Sequence, residues 1–204
     1  MSDVVLKDRR DKRREAILDV ARSVFSEEGY AAASMSSIAA RLGGSKGTLY
    51  NYFKSKEELF GAYVREECGR FADGLFEQSD DPDIAARLTT IGKRFLGHLM
   101  SDWAVRVFQL VVAEARRTPE LAQMFYEAGP AVGLARLTET LEEARARGEI
   151  EAEDCEVAAQ QFMALCRGGL HFRFSLNLIG RPSEAEIHHT IDESVRTFMA
   201  RYGR

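Results

Sequence analysis

Hydrophobic positions return every three to four residues along nearly the whole chain, and strict two-residue alternation is scarcely found, so the pattern predicts helices throughout. The first spans about Asp8 to Glu28, with Ile17, Ala21, Val24 and Phe25 on one stripe and Gly29 just past its last turn. Ser34 is placed to cap a second helix carrying Ile38, Ala39 and Leu42, which Gly43-Gly44 ends. Ser45 caps a short third helix, Lys46 to Tyr52, whose Leu49 and Phe53 point inward. Ser55-Lys56-Glu57-Glu58 reads as a capping box opening a longer helix through Leu59, Tyr63, Val64 and Phe71.

The remainder follows the same period. Asp81-Pro82 starts a helix with Ile84, Leu88, Ile91, Phe95 and Leu99 on one face, and another runs from about Asp102 to Arg117. Thr118-Pro119 opens a helix interrupted at Gly129-Pro130 and resuming through Leu141, with Arg145 and Arg147 before Gly148. Cys155 to Ile179 forms a long, unusually apolar helix. Gly180-Arg181-Pro182 turns the chain, and Ser183 with Glu186 boxes the last helix, Ile187 through Phe198. The reading is all-α, about nine helices, without internal repeat. It divides into a three-helix amino-terminal domain, 1–60, and a helical carboxyl domain, 61–204.

Composition limits the function classes. At 204 residues, 45% apolar against 29% charged, the chain has material for a sizeable core. No apolar run reaches membrane-spanning length, and Met1 to Lys7 lacks a secretory stretch. Cys68, Cys155 and Cys166 are odd in number and far apart, which disfavours a disulfide framework. A soluble cytoplasmic protein is expected, with no membrane partner. The net charge of -4 conceals an asymmetry: residues 1–60 hold 11 Lys and Arg against 9 Asp and Glu, the rest 17 against 23. A basic head on an acidic body suits a polyanion for the head alone, although a solvated helix face gives the same charge pattern.

Catalysis finds no foothold. His98, His171, His188 and His189 fall at no metal-ligand spacing, and Cys155 and Cys166 lack the close pairing of a zinc site. Phosphate-binding, dinucleotide and nucleophile-elbow motifs are all missing. No catalytic residue, metal or cofactor is expected. The other rival is a non-catalytic helical interaction protein that has lost a DNA reader, and Lys46, Thr48, Tyr50 and Lys56 speak against it.

Residues 34–60, SMSSIAARLGGSKGTLYNYFKSKEELF, carry the informative signal: two short helices joined by a glycine turn, the helix-turn-helix arrangement. Ser45, Lys46 and Thr48 cluster at the second helix's leading end, where amides and dipole attract phosphate. Gly47 permits close approach of the backbone to a duplex. Tyr50 and Tyr52 offer hydroxyls to phosphates and rings to sugars or thymine methyls. Asn51 either reads a base edge or stands idle in solvent. Lys56 is placed to ground the far side on the DNA backbone. Ser36 and Ser37 either touch phosphate or satisfy helix-end amides. Arg9 to Arg14 form either a flexible arm along the minor groove or a solvated run.

The segment from residue 12 to 60 resembles the TetR/AcrR family of bacterial transcriptional repressors. The resemblance rests on Ile38-Ala39, Ser45-Lys46-Gly47-Thr48-Leu49-Tyr50, Tyr52-Phe53 and Lys56-Glu57-Leu59, each in its expected helix. It implies a DNA-binding head and a larger helical domain that binds a small molecule and dimerises, here similar to that of AefR-type regulators. It favours DNA contact by Lys46, Thr48, Tyr50, Tyr52 and Lys56. Two positions depart from the pattern: Gly44 stands where an apolar residue usually anchors the turn, and Leu42 where Ala is frequent.

For the second domain, Phe71, Phe95, Trp103, Phe108, Phe125 and Phe162, with His98 and His171, are the candidates to line an effector cavity, although most aromatics at helical spacing are ordinary core. An apolar or aromatic effector is expected. A helix hydrophobic nearly all round needs cover on both sides, so Phe162, Cys166, Leu170 and Phe174, with Ile187, Ile191, Val195 and Phe198, are the expected face of a homodimer. The sequence therefore predicts a repressor on a pseudo-palindromic DNA operator, released by a small-molecule effector, its two recognition helices spaced about 34–36 Å or more apart.

Overall fold

The computed structural model describes residues 2–76 and 83–204, with side chains for all of these except 2–9 and 73. Among the described residues ten helices follow one another: α1 Ser2–Ala32, α2 Met35–Arg41, α3 Lys46–Tyr50, α4 Lys56–Leu75, α5 Ile84–Leu99, α6 Asp102–Glu114, α7 Pro119–Ala128, α8 Pro130–Ala146, α9 Cys155–Ser175 and α10 Glu184–Tyr202. The expected interruption at Gly129-Pro130 separates α7 from α8, which accounts for the tenth segment. The predicted helix start at Asp81-Pro82 lies outside the described residues. Within them Asp83 caps α5, its carboxylate accepting the Ala85 amide at 3.1 Å.

Local chemistry sets most of the boundaries. Gly29 has φ +75°, which breaks regular geometry near the end of α1. Three helices end in the same two-bond closure. After α2, Gly43 N–H donates to Ala40 O and Gly44 N–H to Ala39 O, both at 3.2 Å. After α8, Gly148 and Glu149 repeat it on Arg145 and Ala144. After α9, Asn177 and Leu178 do so on Phe174 and Arg173. The closure needs a left-handed residue, supplied by Gly43 (φ +68°), Gly148 (φ +75°) and Asn177 (φ +56°). The last ends α9 at Ser175, short of the Ile179 predicted, because asparagine is one of the few residues besides glycine that adopt that conformation.

Two compact units are distinguished, Met1–Glu67 with Glu114–Phe125, and Cys68–Ala113 with Tyr126–Arg204. The first is organised on α1, whose Ile17, Ala21 and Val24 are fully buried. Phe25 meets Phe60 edge-on at 5.1 Å between ring centroids and Tyr63 at 5.9 Å. Met124 packs beside Gly61, where a Cβ would lie 2.5 Å from its sulfur, so any side chain there would make the thioether shift.

In the second unit α5, α8, α9 and α10 pack around one core. Phe162, Cys166, Leu170, Ile191, Val195 and Phe198 all lie in it, the Phe162 and Phe198 rings meeting at 5.4 Å. Phe174 and Ile187 are half-buried against the same cluster. Six of the eight side chains expected at a dimer face thus lie in the chain's own core, and Phe174 and Ile187 pack partly against it. At Gly92 on α5 a Cβ would come 2.8 Å from Ile191 and 3.5 Å from Cys166, so the approach of α5 to α9 and α10 depends on the missing side chain. The outward side of α9 carries Val157, Leu165 and Phe172, with Leu176 just beyond. All four are more than a third exposed, Phe172 at 65%.

Candidate nucleic-acid interface

The helix-turn-helix is assembled from short-range hydrogen bonds over a small buried base. Ser34 Oγ accepts the Ser37 amide at 3.0 Å, and Ser37 Oγ returns to the Ser34 amide at 3.0 Å, closing a reciprocal box at the start of α2. Met35, Ile38 and Ala39 then turn inward. Ser45 caps α3 by accepting the Thr48 amide at 3.2 Å, and the two hydroxyls meet at 3.0 Å. Leu49 and Phe53 are buried, which holds α3 by one side only.

The opposite side of α3 faces outward. Ser45, Lys46, Gly47 and Asn51 are exposed, Tyr50 is 48% exposed, and Thr48 and Tyr52 are half-buried. The helix is shorter than the sequence suggests: regular geometry stops at Tyr50, and Asn51 caps it with its N–H on Gly47 O. Gly47 has open space around it, since a Cβ there would meet only Ser45 Oγ at 3.7 Å. No intramolecular packing therefore demands the glycine.

Three of the predicted contacts have prior engagements. Ser37 is engaged at the start of α2, its hydroxyl donating to Ser34 O at 2.9 Å, while Ser36 stands exposed. Ser45 is likewise engaged as a cap. Lys56 is half-buried and donates to the carbonyls of Tyr30 at 2.9 Å and Ala33 at 3.2 Å, which leaves one of its three N–H groups. Nor does Ser55-Glu58 close the full box expected: Ser55 Oγ accepts the Glu58 amide, but the glutamate reaches the amide of Lys54 instead. The backbone from Ser2 onward is helical rather than a flexible arm.

Residues 17–63 match the bacterial regulatory proteins of the tetR family, and residues 86–204, more than half of the chain, match the AefR-like transcriptional repressor C-terminal domain. The chain belongs to the TetR family. A TetR-family transcriptional regulator from Mesorhizobium loti superposes with a TM-score of 0.87 at 28% identity, over 95% of this chain and 98% of that one. The flavonoid-responsive regulator FrrA superposes at 0.81 with 32% identity over the same shares. Among curated proteins, the transcriptional repressor AcnR of Corynebacterium diphtheriae is 38% identical over 65 residues, 32% of this chain and 34% of that protein. The chain thus spans about a third of AcnR's length. The repressor Rv1474c of Mycobacterium tuberculosis is 38% identical over 127 residues, 55% of this chain and 68% of that protein.

In this TetR-family chain the aromatic residues expected around an effector fall into separate groups. His98 stacks on Phe71 at 3.5 Å between centroids and lies 5.5 Å from Trp103, and burial lowers its pKa to about 4. Phe108 and His171 pair at 6.3 Å; burial, then the charge of Arg167, lowers the His171 pKa. Phe95 is buried beneath the Arg167 guanidinium, 5.7 Å away. Phe162 is core, and Phe125 belongs to the first compact unit. Among the described residues no three acidic, histidine or cysteine side chains gather to hold a metal, and no helix is long and apolar enough to cross a membrane.

Proposed function

We propose that the protein is a homodimeric, sequence-specific DNA-binding repressor whose α3 enters the major groove of a pseudo-palindromic operator. The observation that carries this reading is the outward leading end of α3: Lys46, Gly47 and Tyr50 exposed, with Leu49 and Phe53 buried behind them. Lys46, Thr48, Tyr50 and Tyr52 hold the sugar-phosphate backbone, with the remaining N–H of Lys56 beside them, and Asn51 is the residue placed to read a base edge.

The second copy covers the exposed stripe of α9. Leu165 lines an open groove with Gln161, Ala164 and Gly168 of α9 and Thr197 and Arg201 of α10, and Val157 and Phe172 are exposed on the same helix. An apolar stripe of this width favours burial against its own two-fold mate. The effector is a small apolar or aromatic molecule received by the second unit, and the Phe71, His98 and Trp103 rings are the favoured contact. FrrA's responsiveness to flavonoids supports an aromatic class. Such a molecule releases the operator only by binding one arrangement of the dimer more tightly than the other.

A gel shift with the DNA upstream of the protein's own gene, across a salt series, tests this. Binding with a steep salt dependence is expected, and Lys46→Ala lowers the slope by about one unit. Failure of the unaltered protein to bind any duplex at low salt defeats the proposal.

A further inference from the structure

The inward stripe of α1 changes chemistry along its length. Ile17, Ala21 and Val24 occupy it where the first unit has a core, and all three are fully buried. Continuing the same spacing toward the amino end gives Arg14, Arg13 and Arg10. Where the apolar base stops, the stripe becomes arginine.

Two of these side chains are positioned by the helix-turn-helix itself. Arg13 is half-buried, and its Nη2 lies beside Gly44, so close that a Cβ on that residue would be 3.3 Å away. Arg14 carries its guanidinium over the ring of Phe53, 5.2 Å from the centroid. Gly44 precedes α3 and Phe53 follows it, so consecutive arginines of one helix reach the two ends of another. Gly44 is also where the family's pattern has an apolar residue, and here the space beside it holds a guanidinium.

Other arginines of the same unit are neutralised internally. Arg22 Nε lies 2.8 Å from Glu67, and Arg41 Nη1 lies 2.7 Å from Glu27. Among the described residues Arg13 and Arg14 take part in no ion pair. Like charges one turn apart on a helix repel, so holding Arg10, Arg13 and Arg14 together carries a cost. A planar guanidinium steadied on a ring or a bare backbone keeps its N–H edges free, and a phosphate oxygen pair is the acceptor that fits such a fork.

We infer that Arg13 and Arg14 form a phosphate clamp, gripping the duplex backbone on either side of the α3 contact. This rests on the proposal that α3 enters a DNA groove and adds to it a second element, α1, as part of the footprint. The clamp reads no base. It fixes register and contributes a charge-driven affinity that is independent of sequence.

A random-sequence duplex is therefore a sufficient probe, and fluorescence anisotropy across a potassium chloride series is the measurement. The Arg13→Gln, Arg14→Gln double variant lowers the salt slope by about two units relative to the unaltered protein, and the Arg13→Lys, Arg14→Lys variant restores most of it. A glutamine variant that folds, by circular dichroism, and keeps the full slope overturns the clamp. If that variant does not fold, phenylglyoxal modification of the unaltered protein decides: duplex protection of Arg13 and Arg14, read by mass spectrometry, supports the clamp, and unchanged labelling overturns it. Salt-dependent binding by the unaltered protein separates either result from failure of the groove-entry proposal, under which no duplex binds.

Discussion

The Lys56 ammonium lies 4.1 Å from the centroid of the Tyr30 ring while donating to Tyr30's own carbonyl oxygen at 2.9 Å. The Tyr30 hydroxyl in turn donates to Glu57 Oε1 at 3.2 Å. Burial first, then the Glu57 charge, pushes the Tyr30 pKa well up, so the phenol stays protonated and serves as the donor. The start of α4 is thereby clasped to the end of α1, with a cation over a ring and two carbonyls satisfied at once. Lys56→Ala leaves those carbonyls short of a partner and is expected to destabilise the protein by about 1–2 kcal/mol. The same variant lowers the DNA salt slope by less than Lys46→Ala does, because Lys56 holds a fold contact where Lys46 holds none. Thermal unfolding alongside the salt series checks both halves; an unshifted Tm removes the clasp.

The turn before α3 makes a sharper demand on Gly43 than on Gly44. Gly43 sits at φ +68° with open space where a Cβ would go, so Gly43→Ala is expected to cost about 1–2 kcal/mol through backbone strain alone. A Cβ at Gly44 would meet the far end of Arg13 at 3.3 Å and Leu42 at 4.0 Å, and Gly44→Ala is expected to cost less than half as much. Denaturant midpoints of the two variants give the comparison, and equal midpoints contradict it.

Core and proposed dimer face are separable by substitution. Phe162→Ala opens a cavity beneath Phe198 and is expected to cost about 3–5 kcal/mol of stability. Leu165→Glu or Phe172→Glu places a charge on the exposed stripe of α9 and leaves the monomer's core untouched. Sedimentation is expected to show monomers for the second pair, with the helical circular dichroism of the unaltered protein retained. Dimers that persist in both move the interface elsewhere.

His98 sets a pH dependence whose direction follows from its depressed pKa. Above its ordinary value of 6.5 the ring is neutral in both folded and unfolded chains. Between 6.5 and about 4 the unfolded chain takes up a proton that the folded one refuses, so stability falls as pH falls through that window. The loss is of order 1–2 kcal/mol after allowing for solvent screening of the half-buried ring. His98→Phe keeps an aromatic ring on Phe71 and is expected to flatten this part of the stability profile, measured by urea unfolding from pH 7 to 4; a parallel profile refutes the assignment.

How much of this was legible in the chain follows the range of each interaction. Ser34, Ser45, Gly43 and Gly148 bond within five residues of themselves, and their caps and closures are where the sequence predicts them. The all-helical fold was legible in the spacing of apolar residues, and the family in the resemblance carried by motifs such as Ser45-Lys46-Gly47-Thr48-Leu49-Tyr50. The partners of Ser37 and Lys56 were harder, since a polar side chain near a helix end is drawn equally by its own backbone and by a phosphate. Asn177 also ended α9 early, with no glycine or proline to announce the stop.

Sequence by itself determined the periodicity, most of the caps and the cationic leading end of α3, and its motifs carried the family resemblance. Tertiary structure alone decided which side of α9 is interior. Ala158, Phe162 and Cys166 turn to the core, while Val157, Leu165 and Phe172 turn away. A helix apolar on several faces has no preferred side until α5, α8 and α10 close on one of them. It likewise took the folded chain to bring Arg13 to Gly44 and Arg14 to Phe53, because burial and charge act through space between residues some thirty to forty positions apart.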